Sequence, residues 1–279
     1  MLKGALAASV TPLRDNGHAV DDDAFGALVD FYVEAGLDGL LALGTAGEGI
    51  LLSVPERRHV ADLFLQAADN RVQVAVQCGA QTTADDTVVL AAHAAEVGAA
   101  AVVVIGPPYF PLDERAQHTH FLAAATACAP LPFYVYEFAA TTGYQIAPAV
   151  LARLREDAPN LTGLKVSDSP WERFKTYLLP GLDVFVGPEA LIHDGLANGA
   201  IGAVSALASA FPAEVAAVVR EPTAEGAARL AHLRSFVERF PRHAALKHLL
   251  GIRGLPLTPD ERDALSAWYP YDRTVSNSS

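Results

Sequence analysis

Short, nearly continuous apolar runs alternate with longer amphipathic stretches along most of the chain. The apolar runs are Ala5–Val10, Gly39–Leu43, Val72–Gln77, Ala101–Ile105, Phe133–Tyr136, Leu161–Val166, Asp183–Val186 and Ala200–Val204. Strands covered on both faces read this way, because neither face keeps polar residues for water. Between them, apolar positions recur every three to four residues, which predicts helices over Asp22–Ala35, Pro55–Ala68, Ala84–Val97, Glu114–Ala127, Pro148–Glu156, Trp171–Leu179 and Glu189–Asn198. Boundary signals agree. Asp21 precedes the first helix, Ser53 and Glu56 are spaced as a capping box, and Pro148 suits a first turn. Gly36 and Gly98 fall where helices stop.

Strand–helix alternation of this length predicts an α/β protein, a closed (β/α)8 TIM barrel. An open doubly wound sheet is the competing architecture. It would carry a glycine-rich phosphate loop after its first strand, where this chain has Thr11-Pro12-Leu13-Arg14-Asp15. Three further amphipathic stretches follow the last strand, near Thr223–Phe240, Arg242–Leu250 and Pro259–Trp268. The expected organisation is therefore a barrel over residues 1–220 and a C-terminal helical extension over 221–279 packed on it, with a polar tail that frays from 274.

The 279 residues, 51% of them hydrophobic, suffice for one such barrel, which takes about 250 residues. A net charge of −12 repels polyanions, and no basic run or zinc spacing is present, so nucleic acid and metal are not expected partners. No uncharged apolar run is long enough to span a bilayer, and the apolar segment near the N-terminus reads as a first strand rather than a signal sequence. Cys78 and Cys128 suggest free thiols in a reducing compartment, hence a cytoplasmic protein.

Among four lysines, Lys165 stands out because it ends the apolar strand Leu161–Val166. In a parallel barrel the carboxyl ends of the strands form the active face. Most lysines at strand ends reach out to solvent. One that points into the barrel mouth is desolvated, loses its proton more easily and becomes a nucleophile toward a ketone. Tyr136 ends the preceding strand and so sits beside it, placed to move protons, whereas Tyr134 reads as core one layer lower. The turn Gly44-Thr45-Ala46-Gly47-Glu48-Gly49 presents backbone N–H groups that suit a carboxylate, and the Thr45 hydroxyl suits a proton relay. A tight turn that needs glycine for its backbone alone explains the same residues. Gly187-Pro188-Glu189 follows the seventh strand. Glu189 is either a ligand for substrate hydroxyls or only the start of a helix. The aromatics of Gly106-Pro107-Pro108-Tyr109-Phe110-Pro111 sit on a stiff loop.

Taken in order, these segments resemble the dihydrodipicolinate synthase / N-acetylneuraminate lyase superfamily of class I pyruvate aldolases. The resemblance runs from about Gly4 to Leu265. Its carriers are Val10-Thr11-Pro12, Gly44–Glu48, Tyr136 with Thr142-Gly143, Gly163-Leu164-Lys165, Gly187, and Gly202-Ala203-Val204-Ser205. The resemblance implies a lyase in which Lys165 forms the Schiff base, Tyr136 shuttles protons and Thr45 belongs to the hydroxyl relay. It also implies that Thr45 and Ala46 hold the pyruvyl carboxylate and that Gly187 and Val204 line the pocket; Glu189, from the turn after the seventh strand, and Thr142, from the segment after Tyr136, complete the candidate substrate-binding set. The implied partners are pyruvate and an aldehyde, with no cofactor and no metal. A homotetramer or dimer is implied, with a loop tyrosine entering the neighbouring subunit's site. Anchored on Pro111 that tyrosine is Tyr109; anchored on Pro108 the position falls on Phe110. The segment around Tyr136 is most similar to 2-keto-3-deoxygluconate aldolases, which favours Tyr109 and a 2-keto-3-deoxy sugar acid as substrate. Ala46, Glu137 and Ala139 depart from the family's Thr, Asn and Pro. Thr141 replaces the arginine that dihydrodipicolinate synthases use on their aldehyde. A synthase, a sugar-acid dehydratase served by Glu137, and a non-catalytic 2-oxo acid binder are the alternatives.

Overall fold

The computed structural model describes residues 2–79 and 84–251, together with Asp260, Asp263 and Ala264. Among these residues, eight parallel strands close into a barrel: Gly4–Ala8, Gly39–Ala42, Gln73–Gln77, Ala101–Ile105, Phe133–Glu137, Leu161–Val166, Asp183–Val186 and Gly202–Ser205. The ring closes because the first strand pairs on both sides: Leu6 is opposite Gly39 on one and Val204 on the other. The fold is the (β/α)8 barrel.

Alternation along each strand divides the core in two. Leu6, Leu41, Ala75, Val103, Tyr134, Tyr136, Phe185 and Val204 fill the barrel interior. Their neighbours, such as Leu40, Val74, Val104, Phe133, Val135, Leu164 and Val184, pack outward beneath the helices. Both layers are apolar, which is why the strands read as unbroken runs. The register places Tyr136 directly opposite Lys165, and Lys165 opposite Phe185. Since Tyr136 belongs to the interior set, its in-register neighbour faces inward too.

Helices Ala24–Glu34, Val54–Ala68, Ala84–Glu96, Glu114–Cys128 and Pro148–Asp157 cover the barrel near their expected spans. Ser53 and Glu56 form the capping box that their spacing predicts, and Pro148 occupies the first turn of its helix. Gly36 and Gly98 take positive φ values of 76° and 80° just past their helices, a conformation that costs other residues strain.

Several spans differ. The first helix starts at Ala24, after Asp23, and Asp21 is not its cap. The stretch expected to be helical over Trp171–Leu179 is α-helical only to Phe174 and continues as a tight turn over Lys175–Tyr177. Leu179 precedes Pro180, and the residue before proline is pushed out of the helical region. Glu189–Leu191 is likewise a tight turn before the helix Ile192–Ala197. The eighth barrel helix, Pro212–Arg220, was not assigned from the pattern, although Pro212 and Glu214 in its first turn are start signals. At nine residues it is shorter than the window over which a helical period shows clearly. The ribbon Leu13–Arg14 with Ala19–Val20 is too short for any periodicity to show.

Two helices follow the barrel, Ala224–Val237 and Arg242–Leu249. The first packs across the turn Glu189–Leu191 and the helix Ile192–Ala197, so it lies over the exit of the seventh strand. The third expected stretch, Pro259–Trp268, lies outside the described residues apart from Asp260, Asp263 and Ala264, and the tail from 274 lies wholly outside them. Among the described residues no helix is long and apolar enough to cross a membrane. Cys78 and Cys128 are free thiols buried in the core.

One buried ion pair fastens the helix Arg242–Leu249 to the barrel mouth. Lys247 Nζ lies 2.6 Å from Glu48 Oε1, with both side chains shut away from solvent. Such a pair is weak as net stabilisation, but removing one partner strands a buried charge and costs about 3–5 kcal/mol. Lys247→Met is therefore expected to destabilise by about 3 kcal/mol in chemical denaturation, and adding Glu48→Gln is expected to recover part of that loss.

Candidate active site

The cavity at the carboxyl end of the barrel has a volume of about 380 Å³. Its floor is built by four segments: Thr45 and Ala46 after the second strand, Tyr136 and Phe138 at the end of the fifth, Lys165 and Ser167 at the end of the sixth, and Gly187 after the seventh. Val204 of the eighth strand completes one wall.

The turn that carries Thr45 is held from several directions. Leu43 and Glu48 adopt positive φ, 61° and 53°, so the chain reverses sharply. Gly47 and Gly49 have no room for a side chain, because a Cβ would strike Ser9 O and Leu43 O respectively. Thr11 Oγ1 donates to Gly47 O at 2.6 Å, which gives the Thr-Pro segment after the first strand a structural task. From the appended helix, His243 Nε2 donates to Thr45 O at 2.9 Å.

Lys165 is 6% exposed, and its ammonium donates to Ser167 Oγ. Its Nζ lies 3.7 Å from the centroid of the Tyr136 ring. The Tyr136 hydroxyl shares a hydrogen bond of 3.2 Å with Thr45 Oγ1. Lysine, phenol and threonine are thus joined across three strand ends, and Phe138 stacks behind Tyr136 at 6.1 Å. Burial lowers the pKa of Lys165 from its ordinary value, against the opposing pull of Tyr136 and Glu189. For Tyr136 the largest single effect, burial, acts upward. The Lys165 charge and hydrogen bonds from Lys165, Thr45 and Ser167 together exceed it, so the phenol sits below its usual value. An amine eased toward neutrality beside a phenol eased toward phenolate is the pairing that nucleophilic attack and proton transfer require.

The outer part of the cavity is polar. Arg234, Ser235 and Glu238 of the helix Ala224–Val237 and its C-terminal end, with Arg242 of the next helix, face Pro188 and Glu189. Glu189 is 2% exposed and already engaged, accepting from Ser205 Oγ at 2.7 Å, Leu207 N at 3.2 Å and Arg234 Nη1 at 3.1 Å. Glu238 accepts from Arg234 Nε at 2.7 Å and pairs with Arg242 at 3.1 Å.

The structure brings most of the expected residues to one place: Lys165, Tyr136, Thr45, Ala46, Gly187, Val204 and Glu189 all line the cavity. Gly187 is packed so closely that a Cβ there would meet Ser167 Oγ. Two residues stand elsewhere. Thr142 does not line the cavity; its hydroxyl donates to Tyr144 O at 2.7 Å and holds the loop after the fifth strand. Tyr109 is 85% exposed and Phe110 73%, ring against ring at 4.8 Å, and neither lines the cavity of its own chain. Glu137 does not face the cavity either. It points outward behind the strand, where its Oε2 accepts from Ile146 N at 2.8 Å. That orientation removes the basis for a Glu137-assisted dehydration.

Several cavity residues were not read from the sequence. Ser167 was within reach, since residues two apart on a strand share a side. Arg234 and Glu238 lie four apart at the end of one expected helix and Arg242 opens the next, but nothing in the sequence tells which surface they cover.

Residues 1–259 match the model of the dihydrodipicolinate synthetase family. The chain belongs to that family. A 4-hydroxy-tetrahydrodipicolinate synthase from Chelativorans sp. (strain BNC1) is 31% identical over 249 residues, 88% of this chain and 83% of that protein. An uncharacterized DapA-like lyase from Halobacterium salinarum is 34% identical over 95% of this chain and 92% of its own length. Among solved structures, dihydrodipicolinate synthase from Aquifex aeolicus superposes with a TM-score of 0.87 at 25% identity, covering 96% of this chain and 97% of that one. Proteus mirabilis N-acetylneuraminate lyase gives 0.85 at 27% identity, covering 95% and 97%.

The burial of Lys165 has a direct readout. In competitive labelling with an acid anhydride, followed by peptide mass spectrometry, Lys165 is expected to gain reactivity at a lower pH than an ordinary lysine, because desolvation favours its neutral form. Reactivity that first rises at or above the usual lysine value would contradict that assignment.

Proposed function

We propose that this family member is a class I lyase that forms a Schiff base between Lys165 and a 2-oxo acid, and makes or breaks a C–C bond between pyruvate and an aldehyde. The observation that carries the reading is the buried Lys165 amine at the cavity floor, 3.7 Å from the Tyr136 ring, with the Tyr136 hydroxyl tied to Thr45.

In the cleavage direction, neutral Lys165 adds to the C2 ketone of the substrate, and loss of water leaves an iminium. The Tyr136 phenolate takes the proton from the C4 hydroxyl. The C4–O electrons become the carbonyl of the departing aldehyde, and the C3–C4 pair moves to C3, where the iminium delocalises it as an enamine. Protonation at C3 and hydrolysis return pyruvate and free Lys165. The backbone N–H groups of the Thr45–Ala46 turn are the proposed seat of the carboxylate.

The rest of the substrate extends toward Ser235, Arg234, Glu238 and Arg242. Donors and acceptors alternate there, and the two guanidinium groups are balanced by Glu189 and Glu238. A hydroxylated chain suits such a surface better than a second carboxylate, which favours a 2-keto-3-deoxy sugar acid. Thr141 stands where the synthases carry an arginine and supplies no cation to the cavity for a second carboxylate, which points the same way. The synthase activity in the names of several relatives is the second reading. The exposed Tyr109 is proposed to act in a neighbouring copy of a homo-oligomer rather than in its own chain.

Borohydride added with pyruvate is expected to fix a mass adduct on Lys165, and Lys165→Ala is expected to abolish it while melting as the parent does. An adduct elsewhere, or none, overturns the imine. Tyr136→Phe is expected still to trap pyruvate but to lose about 10²–10⁴-fold in turnover, the usual worth of a positioned acid–base group.

A further inference from the structure

Behind the catalytic strands lies a second cluster of ionisable groups that the chemistry above does not use. Glu137 is fully buried and Asp168 is 3% exposed. One oxygen of each carboxyl is satisfied: Ile146 N donates to Glu137 Oε2 at 2.8 Å, and Ala139 N to Asp168 Oδ1 at 3.0 Å. The other two oxygens, Glu137 Oε1 and Asp168 Oδ2, are buried with no donor in hydrogen-bond geometry. The main chain brings the two groups together, since Ser167 N donates to Glu137 O at 2.9 Å and Ala139 N to Asp168 Oδ1 at 3.0 Å, and each carboxyl feels the other's charge. Two carboxylate oxygens are both acceptors, so they can bond only through a proton, and two buried like charges at that range repel strongly.

We propose that Glu137 and Asp168 hold one proton between them, and that this bridged pair is a positioning device that keeps Tyr136 and Ser167 in place around Lys165. The two residues sit where such a device would act. Glu137 follows Tyr136 and precedes Phe138, and Asp168 lies between Ser167 and Ser169; Tyr136, Phe138, Ser167 and Ser169 all line the cavity. Main-chain and side-chain bonds already lace the two segments, Ser167 N to Glu137 O at 2.9 Å and Ala139 N to Asp168 Oδ1. The carboxyl bridge is the third tie. Ionising both groups replaces it with repulsion between the segments that carry the phenol and the serine.

The charged and titratable groups around the pair are few. Asp168 and Tyr144 interact with the Glu137 carboxyl through charge, the Tyr177 hydroxyl is its hydrogen-bonding neighbour, and Arg173 Nη1 lies 3.9 Å from Asp168 Oδ2. Burial first, then the Asp168 charge, drives the Glu137 carboxyl up to about 8, against the Ile146 N–H and the Tyr177 hydroxyl. The sign follows. A proton retained in the fold but lost in the unfolded chain adds stability that is complete below about 4.5 and disappears as pH rises through about 8.

The catalytic half of this inference rests on the imine reading, whereas the shared proton does not. Deuterium wash-in to the methyl group of pyruvate, followed by NMR, reports proton transfer at C3 without an aldehyde. If only the bridged form is competent, exchange by the parent falls about tenfold between pH 7 and pH 9. Glu137→Gln keeps the Ile146 contact and offers a permanent N–H to Asp168, and Asp168→Asn offers one to Glu137. Both are expected to exchange at the parent's neutral rate and to lack that fall, whereas Glu137→Leu is slow at every pH. The same fall in both amide variants overturns the positioning role. Thermal melting tests the shared proton alone. Relative to Glu137→Gln, the parent is expected to lose melting temperature from pH 5 to about pH 8 and to level off above it, and parallel curves overturn it. Borohydride trapping, run alongside, separates the two readings. Trapping with unchanged profiles sinks the device and leaves the imine standing, whereas no trapping sinks the imine and leaves the melting curves to decide the shared proton.

Discussion

The molecule is organised around the cost of placing one amine inside an apolar barrel. A lysine on the axis of a core filled by Leu6, Leu41, Val103, Phe185 and Val204 loses its hydration, and the fold must supply partners or accept a neutral side chain. Both happen here. Ser167 and the Tyr136 ring take the ammonium, and burial eases the proton away. Everything nearer the mouth serves to keep that balance: a turn too tight for side chains at Gly47 and Gly49, a phenol in register with the amine, and a glycine at Gly187 where a methyl group would displace Ser167.

The helices after the barrel belong to the same arrangement. His243 and Lys247 reach the turn of Thr45 and Glu48 from one helix, and Arg234 reaches Glu189 from the other. The second half of the chain thereby closes the cavity and stiffens the turn that the first half builds. A buried pair such as Lys247–Glu48 adds little net stability, but it is intolerant of misplacement, which suits a contact that sets the position of Thr45. Chemistry at the barrel mouth and cohesion of the chain rest on the same few residues.

Much of this was legible in the sequence, for a specific reason. A residue's side of a strand follows from alternation, and the active end of a parallel barrel follows from strand direction, so Lys165, Tyr136 and Thr45 could be grouped before any coordinates. The same logic fails for helices appended to the barrel. The i, i+4 spacing of Arg234 and Glu238 is visible, and Arg242 opens the next helix, but the surface they cover depends on packing between segments far apart in the chain. Motif spacing misleads where a residue serves its own loop, as with Thr142, whose hydroxyl ties Phe138 and Tyr144 rather than facing the cavity. It picks out Tyr109 as the loop tyrosine, which is exposed in the single chain and lies away from the cavity. Glu137 was visible as a departure from the family pattern, but only the structure shows that it turns away from the cavity toward Asp168.

The proposed imine is tested most directly by a crystal structure of the protein soaked in pyruvate. The account predicts continuous electron density from Lys165 Nζ to C2 of the ligand, with the carboxylate seated on the Thr45–Ala46 turn and the Tyr136 hydroxyl beside the former ketone. Pyruvate bound intact and apart from Lys165, or joined to another lysine, would contradict it.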